Sequence, residues 1–260
     1  MGDTVVLRDA LYIAAKAPRP GFTKTRLGRH LGQQAAVRLY RAFLRDLSVR
    51  FASLPQDLDC TLGWYITPPD AWPELAPLVT TAHQAQPPTI LAQGDGDWTT
   101  RQEALFADAA ARGEGRTVLI ASDSPHLAAS TIASAFQQLD DHDLVLGSVT
   151  DGGYYLIGMR GWHDILCGIP MSTRTVTSEI VARATQRRLS VGWTTPTFDI
   201  DEVADLPQLC RLAVTRSDLP ATRIALHELG LLTGKHALDA PFTAESFTTG
   251  SPTAAAGLND

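Results

Sequence analysis

The chain has little cysteine and no arrangement that would use it. Cys60, Cys167 and Cys210 stand far apart in 260 residues, with no CxxC pair and no Cys/His cluster. Neither a disulfide framework nor a structural zinc site is indicated, and reduced thiols in a cytoplasmic protein are the expectation. Long apolar runs are missing as well. Residues 1–9 lack the hydrophobic core of a signal peptide, and no stretch approaches the length of a membrane span. Positive charge is not in excess: 22 Lys and Arg against 28 Asp and Glu give a net charge of −6. That argues against a broad electrostatic grip on DNA or RNA.

Three familiar ligand motifs are also absent. A P-loop needs glycine directly before its Lys-Ser/Thr, and Thr23 precedes Lys24-Thr25. No GxGxxG follows the first strand-like run. Phe106 stands where the closing glutamate of a calcium loop starting at Asp95 belongs. No internal repeat is found.

What is present is a soluble globular composition, 44% hydrophobic and 19% charged, long enough for one α/β domain with a large core or for two small domains. Runs at 10–15, 58–66, 89–91, 116–121, 143–147, 154–159 and 191–197 read as strands. Amphipathic stretches at 33–51, 71–79, 100–111, 128–139, 176–189, 206–214 and 221–232 read as helices. In the first of these helices Ala36, Leu39, Tyr40, Phe43, Leu44 and Leu47 share a face, with Arg38, Arg41, Arg45 and Asp46 off it. The alternation implies right-handed βαβ units, hence one mainly parallel sheet with helices on both faces over residues 1–232. From Thr233 the composition turns to Thr, Ser, Ala, Gly and Pro, which predicts a disordered tail over 233–260.

The first strand empties into Lys16-Ala17-Pro18-Arg19-Pro20-Gly21-Phe22-Thr23-Lys24-Thr25-Arg26. Four cations here precede a helix, where the macrodipole disfavours positive charge unless an anion is present. Pro18 and Pro20 stiffen the loop, and Gly21 lets backbone approach a ligand. Strand, basic loop, helix is a way to hold phosphate.

Ligands of such sheets sit beyond the carboxyl ends of the strands. Asp97, Asp123, Asp151, Asp199 and Asp201 all fall there in the predicted layout. Asp123 has an alternative use as a cap for the following helix, and Asp199 and Asp201 for the helix beginning near Val203. Taken with the basic loop, two such carboxylates suit Mg²⁺ or Mn²⁺ held against a diphosphate, with catalysis by positioning and electrostatics. Asp151-Gly152-Gly153-Tyr154 reads either as a turn with core aromatics or as backbone lying against a sugar or base. His126 reads as a surface residue at a helix start.

At these residues the sequence resembles a known family. Lys-Ala-Pro-Arg-Pro-Gly-Phe-Thr-Lys-Thr-Arg-Leu (16–27), Ser-Asp-Ser-Pro-His-Leu (122–127), Thr-Asp-Gly-Gly-Tyr-Tyr-Leu-Ile-Gly (150–158) and Asp-Ile-Asp-Glu (199–202) follow one another as in the small bacterial GT-A-fold, glycosyltransferase-like proteins of the nucleotide-diphospho-sugar transferase superfamily. The resemblance implies a nucleotide-binding sheet domain that works with a divalent ion. It implies Lys16, Pro18, Gly21, Lys24 and Arg26, extended to Asp97 and Arg101, on the nucleotide and its phosphates. Asp123 would hold the ion with Asp201 or Asp199, and Asp151, Gly152, Gly153 and Tyr154 would face the sugar or acceptor. Asp123 and Asp151 are then the candidate catalytic residues. The chain departs from the pattern at Lys16, which replaces arginine, at Trp98-Thr99-Thr100 before Arg101, and at Ser148, which replaces proline.

Three functions stay open at this level. The first is metal-dependent transfer of a sugar from a nucleotide-diphospho-sugar to a small-molecule acceptor. The second is nucleotidyl transfer from an NTP with release of pyrophosphate, and the third is nucleotide binding without catalysis.

Overall fold

A computed structural model describes residues 8–52, 54, 58, 60–80, 87–150, 152–171 and 173–232. The predicted tail over 233–260 and Asp151 lie outside the described residues. The strands are β1 (Arg8–Lys16), β2 (Cys60–Thr67), β3 (Thr89–Ala92), β4 (Glu114–Ala121), β5 (Leu144–Ser148), β6 (Tyr154–Arg160) and β7 (Val191–Trp193). The helices are α1 (Thr25–Leu31), α2 (Gln33–Phe51), α3 (Trp72–Val79), α4 (Trp98–Ala111), α5 (Ala129–Asp141), α6 (Val176–Gln186), α7 (Leu206–Thr215) and α8 (Pro220–Glu228). No helix among the described residues is long and apolar enough to cross a membrane.

The strands form one sheet in the order β3-β2-β1-β4-β6-β5-β7. β1 pairs in parallel with β2 and β4, β2 with β3, and β5 with β7, while β6 runs antiparallel to both β4 and β5. The expected mainly parallel sheet is therefore present, with one reversed strand. The residues between β5 and β6 are too few for a crossover of a dozen or more residues, so those two strands must return on each other. Because β6 reverses twice, β5 runs with β4. The carboxyl ends of β1, β2, β3, β4, β5 and β7 thus share one edge of the sheet.

β1 shows why both faces are covered. Leu11, Ile13 and Ala15 point into a core shared with α2, α3, α5, α7 and α8. Ala10 and Tyr12 point to the opposite core, made with α4 and α6. Successive side chains of a strand alternate between faces, so a run apolar at every position needs a layer on each side.

The structure departs from the sequence reading at several points. The last strand ends at Trp193 rather than Thr197, and only the bridge Val149↔Thr197 continues it. The last helix stops at Glu228 rather than running to Leu232. Asp46, placed by periodicity off the apolar face of α2, is only 3% exposed. Its carboxylate accepts the backbone N–H of Ala221 at 2.9 Å and of Thr222 at 2.8 Å. It thereby caps α8 from a neighbouring helix.

Candidate active site

The loop after β1 turns on Arg19, whose carbonyl accepts the N–H groups of Phe22 and Thr23. It ends at Lys24, which has φ 48° and ψ 43°. A non-glycine residue in this left-handed region stores about 1–2 kcal/mol of backbone strain, a cost concentrated at functional positions. The Lys24 ammonium lies 2.5 Å from Asp123 Oδ1 and 2.9 Å from Asp201 Oδ1. It also donates to the Ile200 carbonyl at 2.6 Å. Three donors thus meet three acceptors, and the lysine side chain is 3% exposed. Burial alone would lower the lysine pKa, but the charges of Asp123 and Asp201 more than reverse this and hold it charged. Burial pushes the Asp201 carboxyl up, and Lys24 first, then Arg26 and Lys16, bring it below its ordinary value.

Asp123 follows β4, and Asp201 lies in the segment after β7. Four contacts stitch these loops together. Ile200 N–H donates to the Asp123 carbonyl at 3.0 Å, and Ser124 Oγ donates to the Phe198 carbonyl at 2.9 Å. The His126 ring stacks on Phe198 with centroids 4.1 Å apart, and its Nε2 lies 2.8 Å from Thr197 Oγ1. The meeting of the two carboxylates is therefore set by backbone. Beneath them the buried Tyr40 hydroxyl accepts from the Lys16 N–H at 3.0 Å and sits 2.9 Å from Ser122 Oγ. Tyr40 ties the end of β1 to the end of β4. Sequence reading takes Tyr40 for core, and the signal that marks it is general: a buried phenol needs a partner. His126 was expected at the surface and is 5% exposed. The segment after β7 covers it, and burial lowers its pKa to about 4.

The capping alternatives fall away. α5 starts at Ala129 without a side-chain cap, so Asp123 does not serve it. The 3₁₀ turn Val203–Asp205 is capped by Glu202 and Asp205, not by Asp199 or Asp201. Among the described residues, Glu103, Asp164 and Cys167 form the one set of three ligand-type side chains within 4.8 Å, so Asp199 does not complete a triad with Asp123 and Asp201. Two carboxylate oxygens that already converge on one cation are donors that suit a hard divalent ion. Each carboxylate is more than a third exposed, 37% and 41%, so solvent and ligand oxygens can fill the remaining positions.

The other predicted residues divide. Lys16 is exposed at the end of β1, and the Arg26 side chain is 62% exposed, 3.8 Å from Glu202. Both act electrostatically on Asp201 and so belong to this edge. Arg19 leaves it, pairing with Glu74 of α3 at 2.5 Å. Pro18 is buried within the loop. Gly21 takes φ 75° with open space where a Cβ would stand, so the turn requires it, not a close neighbour. Asp97 caps α4, accepting from Thr100 N–H and Oγ1 at 2.9 Å each. Arg101 reaches Gln93 at 3.3 Å. Both follow β3, three strands from β4, or about 14 Å at ordinary strand spacing. Lys24 pairs instead with Asp123 and Asp201. One cavity, of about 650 Å³ beside Pro18, Pro20, Arg38 and Arg41, shares no lining residue with Asp123 or Asp201.

In the β5–β6 turn the glycines and the tyrosine have partners within the protein. Gly152 has φ 95°, and a Cβ there would lie 2.1 Å from the Arg174 carbonyl oxygen. Close backbone packing within the protein requires this glycine. The Gly153 carbonyl accepts from Thr177 Oγ1 at 2.9 Å. The Tyr154 hydroxyl donates to Gln102 Oε1 at 2.9 Å, and burial holds its pKa well above the ordinary value. Gly152→Ala is expected to cost about 2–3 kcal/mol, from strain plus the clash. Thermal unfolding measures this, and an unchanged melting temperature would refute the contact with Arg174.

One open α/β sheet, with a basic loop and paired carboxylates at its carboxyl edge, is the layout of a nucleotide-diphospho-sugar transferase-like domain. A protein from Desulfovibrio desulfuricans G20, provisionally described as a nucleotide-diphospho-sugar transferase, is 30% identical, with 86% of this chain and 96% of that chain covered and a TM-score of 0.74. At that identity over that length the chain belongs to its family, the GT-A-fold, glycosyltransferase-like proteins that the sequence motifs resemble. The model of the family described as "Uncharacterized protein conserved in bacteria (DUF2064)" matches residues 68–173. More remote is a CMP:2-keto-3-deoxy-manno-octonic acid synthetase complexed with CTP, 12% identical over 80% of this chain and 99% of that chain, with a TM-score of 0.48. A cytidylyltransferase from Leptospira borgpetersenii serovar Hardjo-bovis is 9% identical over 91% and 99%, with a TM-score of 0.49. No curated protein matches the chain.

Proposed function

We propose that the protein is a divalent-metal-dependent transferase that takes a sugar from a nucleotide-diphospho-sugar and passes it to a small-molecule acceptor. The observation that carries this reading is the convergence of Asp123 and Asp201 on one point at the sheet's carboxyl edge, 2.5 and 2.9 Å from a single ammonium. Kinship with the Desulfovibrio protein supports the choice of a sugar nucleotide. Asp123 and Asp201 would hold Mg²⁺ or Mn²⁺. A bound ion would carry part of the negative charge that builds on the departing diphosphate. Lys16 and Arg26, exposed beside Asp201, supply further positive charge for the same phosphates. The stitched loops keep the two carboxylates at a fixed separation, so little reorganisation is required when charge develops. Asp151, next in sequence to the β5–β6 turn, is the candidate for the acceptor side.

The test is a thermal-shift screen of sugar nucleotides, nucleoside diphosphates and NTPs, with and without Mg²⁺ or Mn²⁺, followed by product analysis of the hits. A ligand at 100 times its Kd adds about 2.7 kcal/mol of stability. The expected result is stabilisation by sugar nucleotides that a chelator removes and added ion restores, with nucleoside diphosphate as product. Pyrophosphate released from an NTP would make the protein a nucleotidyltransferase instead. Equal binding with and without ion would make it a nucleotide-binding protein without this chemistry.

A further inference from the structure

The proposed site asks for two carboxylates free to hold an ion and a loop lysine free to meet phosphate. In the structure these three groups are occupied with one another. We propose that Lys24 is an internal stand-in for the divalent ion: its ammonium holds Asp123 and Asp201 together in the resting protein and leaves for the diphosphate when the ion takes its place. This rests on the reading of Asp123 and Asp201 as the ion site.

The ammonium satisfies all of its donors on Asp123 Oδ1, Asp201 Oδ1 and the Ile200 carbonyl, and it is almost sealed from solvent. Two cations cannot share the same two carboxylate oxygens, because their repulsion at such distances is large in a partly buried site. An ion bound through those same two oxygens therefore requires the ammonium to move. Its backbone is in a left-handed conformation at the first residue before α1, so the side chain is held there by its partners against local strain. Lys16 and Arg26 already bear on Asp201, and a displaced Lys24 would join them as a third cation facing a diphosphate.

A thermodynamic consequence follows. An ion arriving alone must break the lysine's pairing with no new partner for the ammonium, so it binds weakly. An ion arriving with a diphosphate supplies that partner. Ion and diphosphate then strengthen each other's binding by the same factor, as linkage requires. Lys24 would be the residue that couples them.

Mn²⁺ alone is the probe, titrated into the wild type, Lys24→Met and Asp123→Asn. Lys24→Met is expected to bind Mn²⁺ at least about tenfold more tightly than the wild type, a change of about 1.4 kcal/mol. In the wild type a nucleoside diphosphate should tighten Mn²⁺ binding, and in Lys24→Met that gain should shrink by a similar factor. A second measurement needs no variant. The chain has three lysines, Lys16, Lys24 and Lys235, so amine labelling read by mass spectrometry resolves each. Lys24 should react slowly beside exposed Lys16 without ion, and several-fold faster with Mn²⁺ bound. If Lys24 stays protected while Mn²⁺ binds, or if Lys24→Met binds no more tightly, the exchange is refuted and the ion site stands. If Asp123→Asn binds Mn²⁺ as the wild type does, the ion site itself falls.

Discussion

Asp123→Asn is expected to lower kcat/KM by about a thousandfold while the protein stays folded. On the proposed reading, loss of one of the two carboxylates that would hold the ion removes several kcal/mol of charge stabilisation in the transition state, and about 4 kcal/mol corresponds to that factor. The fold should tolerate the change. Lys24 keeps Asp201 and the Ile200 carbonyl as partners, and Asn retains the shape and one oxygen of the lost carboxylate. The Asp123 side chain is 37% exposed, so solvent screening limits the pair's stability contribution to about 1 kcal/mol or less. Asp201→Asn should match it, because Asp201 is the other half of the pair. Asp199→Asn should cost less, because its carboxylate does not join the other two within 4.8 Å. Steady-state rates across an Mn²⁺ titration decide this, since a weakened ion site shows as activity partly recovered at high ion. Undiminished turnover in Asp123→Asn would remove the metal from the mechanism.

What the sequence made legible and what it hid have separate physical causes. α2 was legible to the residue, 33–51, because its apolar face is continuous and no glycine or proline interrupts it. β4 was legible because a strand covered on both faces has no polar alternation. The reversal of β6 was readable in principle from the short β5–β6 link, but an apolar run alone carries no direction. The positions of Lys24, Asp123 and Asp201 at the same edge were legible from strand ends. Their pairing was not, because Lys24 and Asp201 are 177 residues apart, and no local pattern reports which cation a fold spends on its own carboxylates. The same holds for Arg19, taken by Glu74 55 residues on, and for Gly152, fixed by the backbone of Arg174. Composition shows what a loop can bind, and only the tertiary structure shows what it already binds.

Asp46→Ala is expected to destabilise the protein, and its cost should depend on pH. The carboxylate accepts from Ala221 N–H and Thr222 N–H, in the first turn of α8, whose own boundary residue Leu219 offers no side-chain cap. Alanine leaves those buried donors without partners, at a cost of about 2 kcal/mol at pH 7. Burial raises the Asp46 pKa to about 6, outweighing the hydrogen bonds from Thr222 and Ala221 and the charge of Arg50 that lower it. The folded protein therefore holds this proton more tightly than the unfolded chain, whose reference value is 3.8. The linked stabilisation is complete below the unfolded value and is lost as pH rises through about 6. Alanine cannot bind the proton, so the gap between wild type and variant should widen by about 2 kcal/mol on going from about pH 7 to pH 4.5. Denaturant unfolding of the two proteins at both pH values cancels every other titrating group. A gap that stays constant would mean that Asp46 keeps an ordinary pKa. A gap that narrows in acid would mean that the helix terminus, not burial, dominates its environment.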